Sequence, residues 1–184
     1  MKSILLQAAF NALLIVTACA EIKNGDFVGG KEGWRGGGKA DKVDGDTVIT
    51  LNLSKFNFSE LSQAFKMPAS TKRMKVSLAV KVSSDYVFND KSRNVADLDW
   101  KPGGSYRWTA LTYPKSDLHL RVASGKVRYQ YRVFELKKGE WNFLSTEMDV
   151  SDPDLIEMAI CFPAGSGTMS VTKVKAEAVG EVRP

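Results

Sequence analysis

Six polar side chains recur at alternate positions of one stretch, D-L-H-L-R-V-A-S-G-K-V-R-Y-Q-Y-R-V, which runs from Asp117 to Val133. Asp117, His119 and Arg121 precede Ser124-Gly125, and Arg128, Gln130 and Arg132 follow it. Carboxylate, amide and guanidinium groups supply the directional donors and acceptors that sugar hydroxyls need, and a guanidinium fork also matches a carboxylate or sulfate. Opposed arginines repel one another, a cost that an anionic ligand or a neighbouring carboxylate would relieve. The competing reading of the same residues is a solvated strand face with one Asp117–Arg132 pair. His119 is the single histidine of the chain. It lacks the His or Cys partners that zinc requires, and as a general base it would need a substrate proton within hydrogen-bond reach.

Positioning these groups calls for a hairpin. Ser124-Gly125 is a short glycine-containing connection between two alternating runs. A symmetric register pairs Val122 with Val127, Leu120 with Tyr129 and Leu118 with Tyr131. The polar pairs are then Arg121 with Arg128, His119 with Gln130, and Asp117 with Arg132. Because side chains alternate across a strand, this register makes one face apolar and the other polar. A slip of one residue would mix both faces.

Upstream lies a long stretch without periodicity, from Ser84 to Gly104, of a length that usually marks a functional loop. Trp100 lies in it, and Tyr106, Trp108 and Tyr113 belong to a strand expected over Ser105 to Tyr113. Exposed aromatics there would stack on the apolar faces of sugar rings; the competing reading, which residue type favours for each of them, is packing in the core. Asp97 and Asp99 in the loop, with Asp26 near the N-terminus, are the candidate calcium ligands, but they lack the full D-x-D-x-D-G spacing. No cofactor is expected.

The N-terminus is set apart. Lys2 precedes an apolar run from Ile4 to Val16 that is interrupted by Gln7 and Asn11 and closed by small residues. It is too short and too interrupted to span a membrane and reads as a signal peptide over residues 1–20. Cleavage after Ala18-Cys19-Ala20 would start the mature chain at Glu21. Val16-Thr17-Ala18-Cys19 equally resembles a lipoprotein box, with Cys19 as the lipidated residue. In both cases Cys161 has no intrachain partner and no disulfide framework is expected. The expected location is outside the cytoplasm, secreted, periplasmic or anchored in the outer membrane by lipid.

The remaining 21–184 can bury one core and no more than one ordinary domain; 43% of the full 184-residue chain is hydrophobic. A net charge of +5 is compatible with an acidic glycan or an anionic surface but more often reflects just a solvated face, and export argues against nucleic acid. Strands are expected over Thr47–Leu51, Leu61–Met67, Lys72–Ser83, Trp141–Val150, Leu155–Phe162 and Thr168–Val179. A change of parity in the last of them predicts a bulge near Thr172-Lys173. Many short strands separated by Gly, Pro and Asp indicate an all-β antiparallel sandwich of jelly-roll type.

The ordered series N-G-D-F…G-W (Asn24 to Trp34), L-S-Q-A-F (Leu61 to Phe65), K-V-S-L-A-V-K-V (residues 75–82), K-K-G-E-W (residues 137–141) and a closing strand led by Gly167 resembles the galactose-binding-like jelly roll. Within that superfamily it is similar to bacterial carbohydrate-binding modules appended to xylanases and glucanases. That resemblance implies a non-catalytic domain that binds a poly- or oligosaccharide, with Trp34 and Trp141 packed in the core. It also implies a structural calcium, but Thr172 and Lys173 stand where the family places an acidic ligand, so a site using Asp26 is not expected. Two other functions are compatible with the sequence. One is a cell-envelope domain with a protein partner. The other is a jelly-roll polysaccharide lyase, which His119, Gln130, Arg121 and Tyr106 could serve, although the lyase signature strings are absent.

Overall fold

The computed structural model describes residues 22–54, 58–89, 95–96, 113–114, 118–125 and 127–179, with the backbone alone at 95–96, 113–114 and 127–129. Every regular element among them is a strand. In chain order these are β1 (Arg35–Gly36), β2 (Lys39–Val43), β3 (Asp46–Asn52), β4 (Ser59–Phe65), β5 (Arg73–Val82), β6 (Val87–Phe88) and β7 (Val95–Ala96). They continue with β8 (Tyr113–Pro114), β9 (Leu118–Ser124), β10 (Val127–Phe134), β11 (Trp141–Asp149), β12 (Ile156–Phe162), β13 (Gly165–Ser166) and β14 (Thr168–Val179).

The strands form two five-stranded antiparallel sheets, β1-β4-β12-β9-β10 and β11-β5-β14-β3-β2. This is the expected jelly-roll sandwich. Its core takes alternate residues from both inner faces: Leu61, Leu120, Met158 and Ile160 from the first sheet, Ile49, Val76, Val80 and Val171 from the second. The period of two is the reason, because a strand with one buried face must place an apolar residue at every second position. Trp34 and Phe27 close one end, their rings 5.3 Å apart, and the Trp34 indole donates to the Lys23 carbonyl at 3.0 Å.

Two expectations about local geometry had opposite outcomes. The bulge in β14 is present: pairing with β5 shifts between Thr172 and Lys175, and Lys173 adopts a left-handed φ of 55°. Strict alternation across that point would have pointed Val174 and Ala176 at solvent, and the extra residue turns them inward.

The symmetric hairpin register is incorrect. Beyond a bulge between Val127 and Gln130, Gln130 lies opposite Val122, Tyr131 opposite Arg121, Arg132 opposite Leu120 and Val133 opposite His119. The offset is odd, so the faces of β10 exchange. Tyr131, expected in the core, joins His119 and Arg121 on the outer face, and Gln130 and Arg132 leave it. Two anchors hold this arrangement. The Ser124 hydroxyl donates to the Asp152 carbonyl at 3.0 Å and accepts from the Ser151 and Asp152 amides, which ties the turn to the 151–155 connection. Gln130, buried at the sandwich edge, donates from Nε2 to the Asp149 carbonyl at 2.6 Å and accepts from the Asp149 amide at 2.9 Å. The amide side chain thereby does for the end of β11 what a neighbouring strand would do.

The stretch from Ser84 to Gly104, expected to be irregular, contains two short pairings. β6 lies antiparallel to β13, and β7 lies parallel to β8. The strand expected over Ser105–Tyr113 falls outside the described residues except at Tyr113, which begins β8.

Candidate functional site

The outer face of the first sheet carries the polar residues that the sequence singled out on β9, together with partners from distant strands. One row of laterally paired residues crosses all five strands: Arg35 on β1, Ser62 on β4, Ala159 on β12, Arg121 on β9 and Tyr131 on β10. The next row runs Glu60, Cys161, His119 and Val133. Glu60 and Arg121 meet diagonally across Ala159 and Cys161, with Arg121 Nη2 donating to Glu60 Oε2 at 3.2 Å. The small side chains between them leave room for that reach. The Arg121 side chain is 11% exposed and that of Glu60 31%, so the pair is more desolvated than an ordinary surface ion pair while one carboxylate edge stays open to solvent.

The centre of this face is closed. His119, Ala159 and Cys161 are buried to within 1%, and Ser62 and Tyr131 nearly so. Burial has a chemical consequence for both titratable groups. It pushes His119 down to about 3, helped by the nearby Arg121 charge, and it pushes the Cys161 thiol up to about 12. Both side chains are neutral across the ordinary pH range, because a low-dielectric surrounding penalises whichever form carries charge. The His119 and Tyr131 rings lie 6.1 Å apart. The expectation that His119 faces solvent is therefore corrected.

The structure separates the six polar residues of the hairpin. His119 and Arg121 share the outer face. Gln130 is a buried clamp on β11, and Arg132 lies on the same side of β10, its guanidinium donating to the carbonyls of Tyr131 at 2.9 Å and Glu147 at 3.3 Å. Arg128 and Tyr113 are described in backbone only. Asp117, Trp100, Tyr106, Trp108, Asp97, Asp99 and Cys19 lie outside the described residues. Near the N-terminus, Asp26 accepts from the Val28 amide at 3.4 Å, and the Lys173 ammonium pairs with Asp46 at 2.7 Å. No group of three or more His, Cys, Asp or Glu side chains among the described residues could hold a metal ion.

Glu60, Ser62 and Arg35 were not singled out from the sequence, and Cys161 only as an unpaired thiol. Alternation in S-E-L-S-Q-A-F does place Glu60 and Ser62 opposite Leu61 on their strand. What the sequence lacks is the fact that β4 and β9 flank the same neighbour, β12. Trp141 needs a second correction. It does not pack in the core but lies half-buried on the outer side of β11, its indole donating to Asp44 Oδ2 at 2.8 Å.

No family profile matches this sequence, and no curated protein does. Solved structures match in shape. A carbohydrate-binding module of family 61, in complex with β-1,4-galactotriose, superposes with a TM-score of 0.58 at 14% identity, covering 86% of this chain and 98% of its own. A xylan-binding module of family 22 from Paenibacillus barcinonensis gives 0.52 at 9% identity, covering 82% and 88%. A Stig cyclase from Fischerella sp. TAU gives 0.58 at 10% identity, covering 88% and 98%, so the same architecture also carries chemistry of another kind. The chain has the jelly-roll fold of the carbohydrate-binding modules, as the order of its motifs implied.

Proposed function

We propose that this domain is an exported, non-catalytic module that binds a poly- or oligosaccharide at the Glu60 margin of the outer face of the sheet β1-β4-β12-β9-β10. The observation that carries the reading is the Glu60–Arg121 pair, a carboxylate acceptor and a guanidinium held 3.2 Å apart, with Glu60 31% exposed beside the closed centre of the face. Sugar hydroxyls are both donors and acceptors, and a preordered pair of this kind serves both without reorganising. Arg35 and Ser62 extend the polar row toward β1. The aromatics Trp100, Tyr106, Trp108 and Tyr113 are the candidate stacking platform. Guanidinium at the centre favours a uronate- or sulfate-bearing ligand over a neutral one. A signal peptide at 1–20, with Cys19 as the lipid acceptor if the chain is anchored, would deliver the domain to such polymers.

Binding without catalysis is favoured by His119. A buried imidazole whose pKa is about 3 is a weak proton acceptor at neutral pH, far from the matched value that a general base needs.

A glycan array, followed by titration calorimetry on the best ligand, tests the reading. Replacing the pair together (Glu60→Gln with Arg121→Gln) keeps the face neutral and avoids a stranded buried charge. We expect this variant to melt near the parent and to bind about tenfold more weakly or worse, a loss of about 1.4 kcal/mol. Unchanged affinity would sink the site, and silence on the array would sink the function. Release of unsaturated oligosaccharides from uronate polymers would establish a lyase instead.

A further inference from the structure

The outer face of the other sheet holds features that the first face does not explain. β11 is its edge strand, and Trp141 and Phe143 project from the same side of it, about 7 Å apart by strand geometry. The Trp141 ring is held by its bond to Asp44, which also accepts from Lys81 at 2.8 Å. Phe143 is 76% exposed. Its lateral neighbours, Ala79 on β5 and then Thr172 on β14, are small. They leave an open depression of about 280 Å³ walled by Phe143 on one side and Lys173 and Lys175 on the other, with Lys75, Ser77 and Ser145 along it.

The charge in this depression has one sign. No carboxylate lines it. Lys173 is paired with Asp46, but no ion pair among the described residues involves Lys75 or Lys175. Lys75 lies in the next row between Glu147 and Glu177, its lateral neighbours on β11 and β14, and Glu147 is engaged by Arg73 at 2.6 Å. The β14 bulge contributes directly. By reversing the parity of the strand it directs Lys175 outward while Val174 and Ala176 enter the core.

We propose that this second face is a separate binding site for an acidic oligosaccharide. The ring of Phe143, continued by Trp141, stacks on the apolar face of a sugar. Lys75 and Lys175 take the carboxylate or sulfate as ammonium donors. Ser77 and Ser145 meet the hydroxyls. An acidic sugar fits better than a protein or a lipid surface, because the small apolar area of Leu78, Ala79, Phe143 and Leu144 lies within a border of three lysines and two serines. The site is independent of the Glu60–Arg121 face, which lies on the opposite side of the sandwich.

Titration calorimetry on the mature protein with oligogalacturonate and with chondroitin sulfate oligosaccharide tests it, with xylohexaose and phosphatidylserine vesicles as further probes. Binding of at least one acidic oligosaccharide is expected, weakening as salt is raised. Phe143→Ala, and separately Lys75→Ser with Lys175→Ser, should each reduce affinity about tenfold. Phe143→Trp should keep it, and the Glu60→Gln/Arg121→Gln variant should leave this affinity unchanged. Phe143, Lys75 and Lys175 are solvent-facing, so melting temperatures near the parent are expected for their variants and confirm that the loss is local. Absence of binding to both acidic probes overturns the proposal. So do binding that survives both sets of substitutions, equal binding of xylohexaose, and binding of vesicles alone. Loss of binding on Glu60→Gln/Arg121→Gln but not on Phe143→Ala would transfer the ligand to the first face, leaving that reading intact and this one refuted.

Discussion

His119 is the side chain whose chemistry the fold changes most. Its folded pKa, about 3, lies below its usual 6.5, so the unfolded chain binds a proton that the native state refuses between those values. Stability from this group is complete above pH 6.5 and falls as the pH drops toward 3. Chemical denaturation across that window should show an acid-dependent loss on the order of a few kcal/mol that is absent in His119→Gln. Parallel curves for parent and variant would mean that the imidazole is not held neutral. Cys161, its lateral neighbour, shows the opposite sign. Its pKa is raised from 9.0 to about 12, so the unfolded chain releases a proton first and the contribution is lost as the pH rises above 9. The native thiol should resist Ellman's reagent at neutral pH and react fully in denaturant, since the thiolate is the nucleophile. Rapid native labelling would contradict the burial. His119 illustrates what residue types can and cannot convey. Its presence on an alternating strand is readable, but a charge-bearing face and a closed neutral one look identical in sequence.

Among the elements, the β9–β10 hairpin and the β14 bulge differ in how visible they were. The bulge left a trace, since Met169 and Val171 share one parity and Val174 and Ala176 the other. The hairpin left a misleading trace, since a bulge-free register segregates polar from apolar residues without exception. The register that forms is decided by contacts outside the hairpin, above all the Gln130 clamp on Asp149. Gln130→Ala strands two backbone groups of β11 and should cost about 1–3 kcal/mol in urea unfolding; a neutral result would mean that water replaces the clamp. At the other end of the sandwich, Gly25 accepts from the Val174 amide at 2.9 Å. A Cβ there would lie 2.0 Å from the Val174 carbonyl oxygen, which is backbone and cannot swing aside. Gly25→Ala should lower stability by roughly 2 kcal/mol or more, read as a fall in melting temperature.

For the whole molecule, the two outer faces are chemically distinct. The first presents one partly desolvated ion pair among small and neutral buried side chains, and the second an aromatic edge beside lysines. Separated by the thickness of the core, they share no partner, so Phe143→Ala should leave binding at the first face unchanged and Glu60→Gln/Arg121→Gln should leave binding at the second unchanged. Calorimetry showing that either change weakens binding at both would mean that one ligand wraps both faces. If either face takes an acidic polymer, the net charge of +5 would attract it at long range, and raised salt should slow association more than it speeds dissociation.

The sequence by itself determined the sandwich, most of its long strands and the β14 bulge, because a period of two and a break in that period are local properties of the chain. It also carried the ordered motifs that place the fold beside the carbohydrate-binding modules. Tertiary structure alone decided which polar residues meet. Glu60 reaches Arg121 only because β12 lies between their strands, Gln130 leaves the polar face only because Asp149 offers it a partner, and Trp141 and Phe143 share a platform with Lys175 only because β5 separates β11 from β14. Lateral pairing between distant strands is a property of the assembled sheets, and no local pattern of residues encodes it.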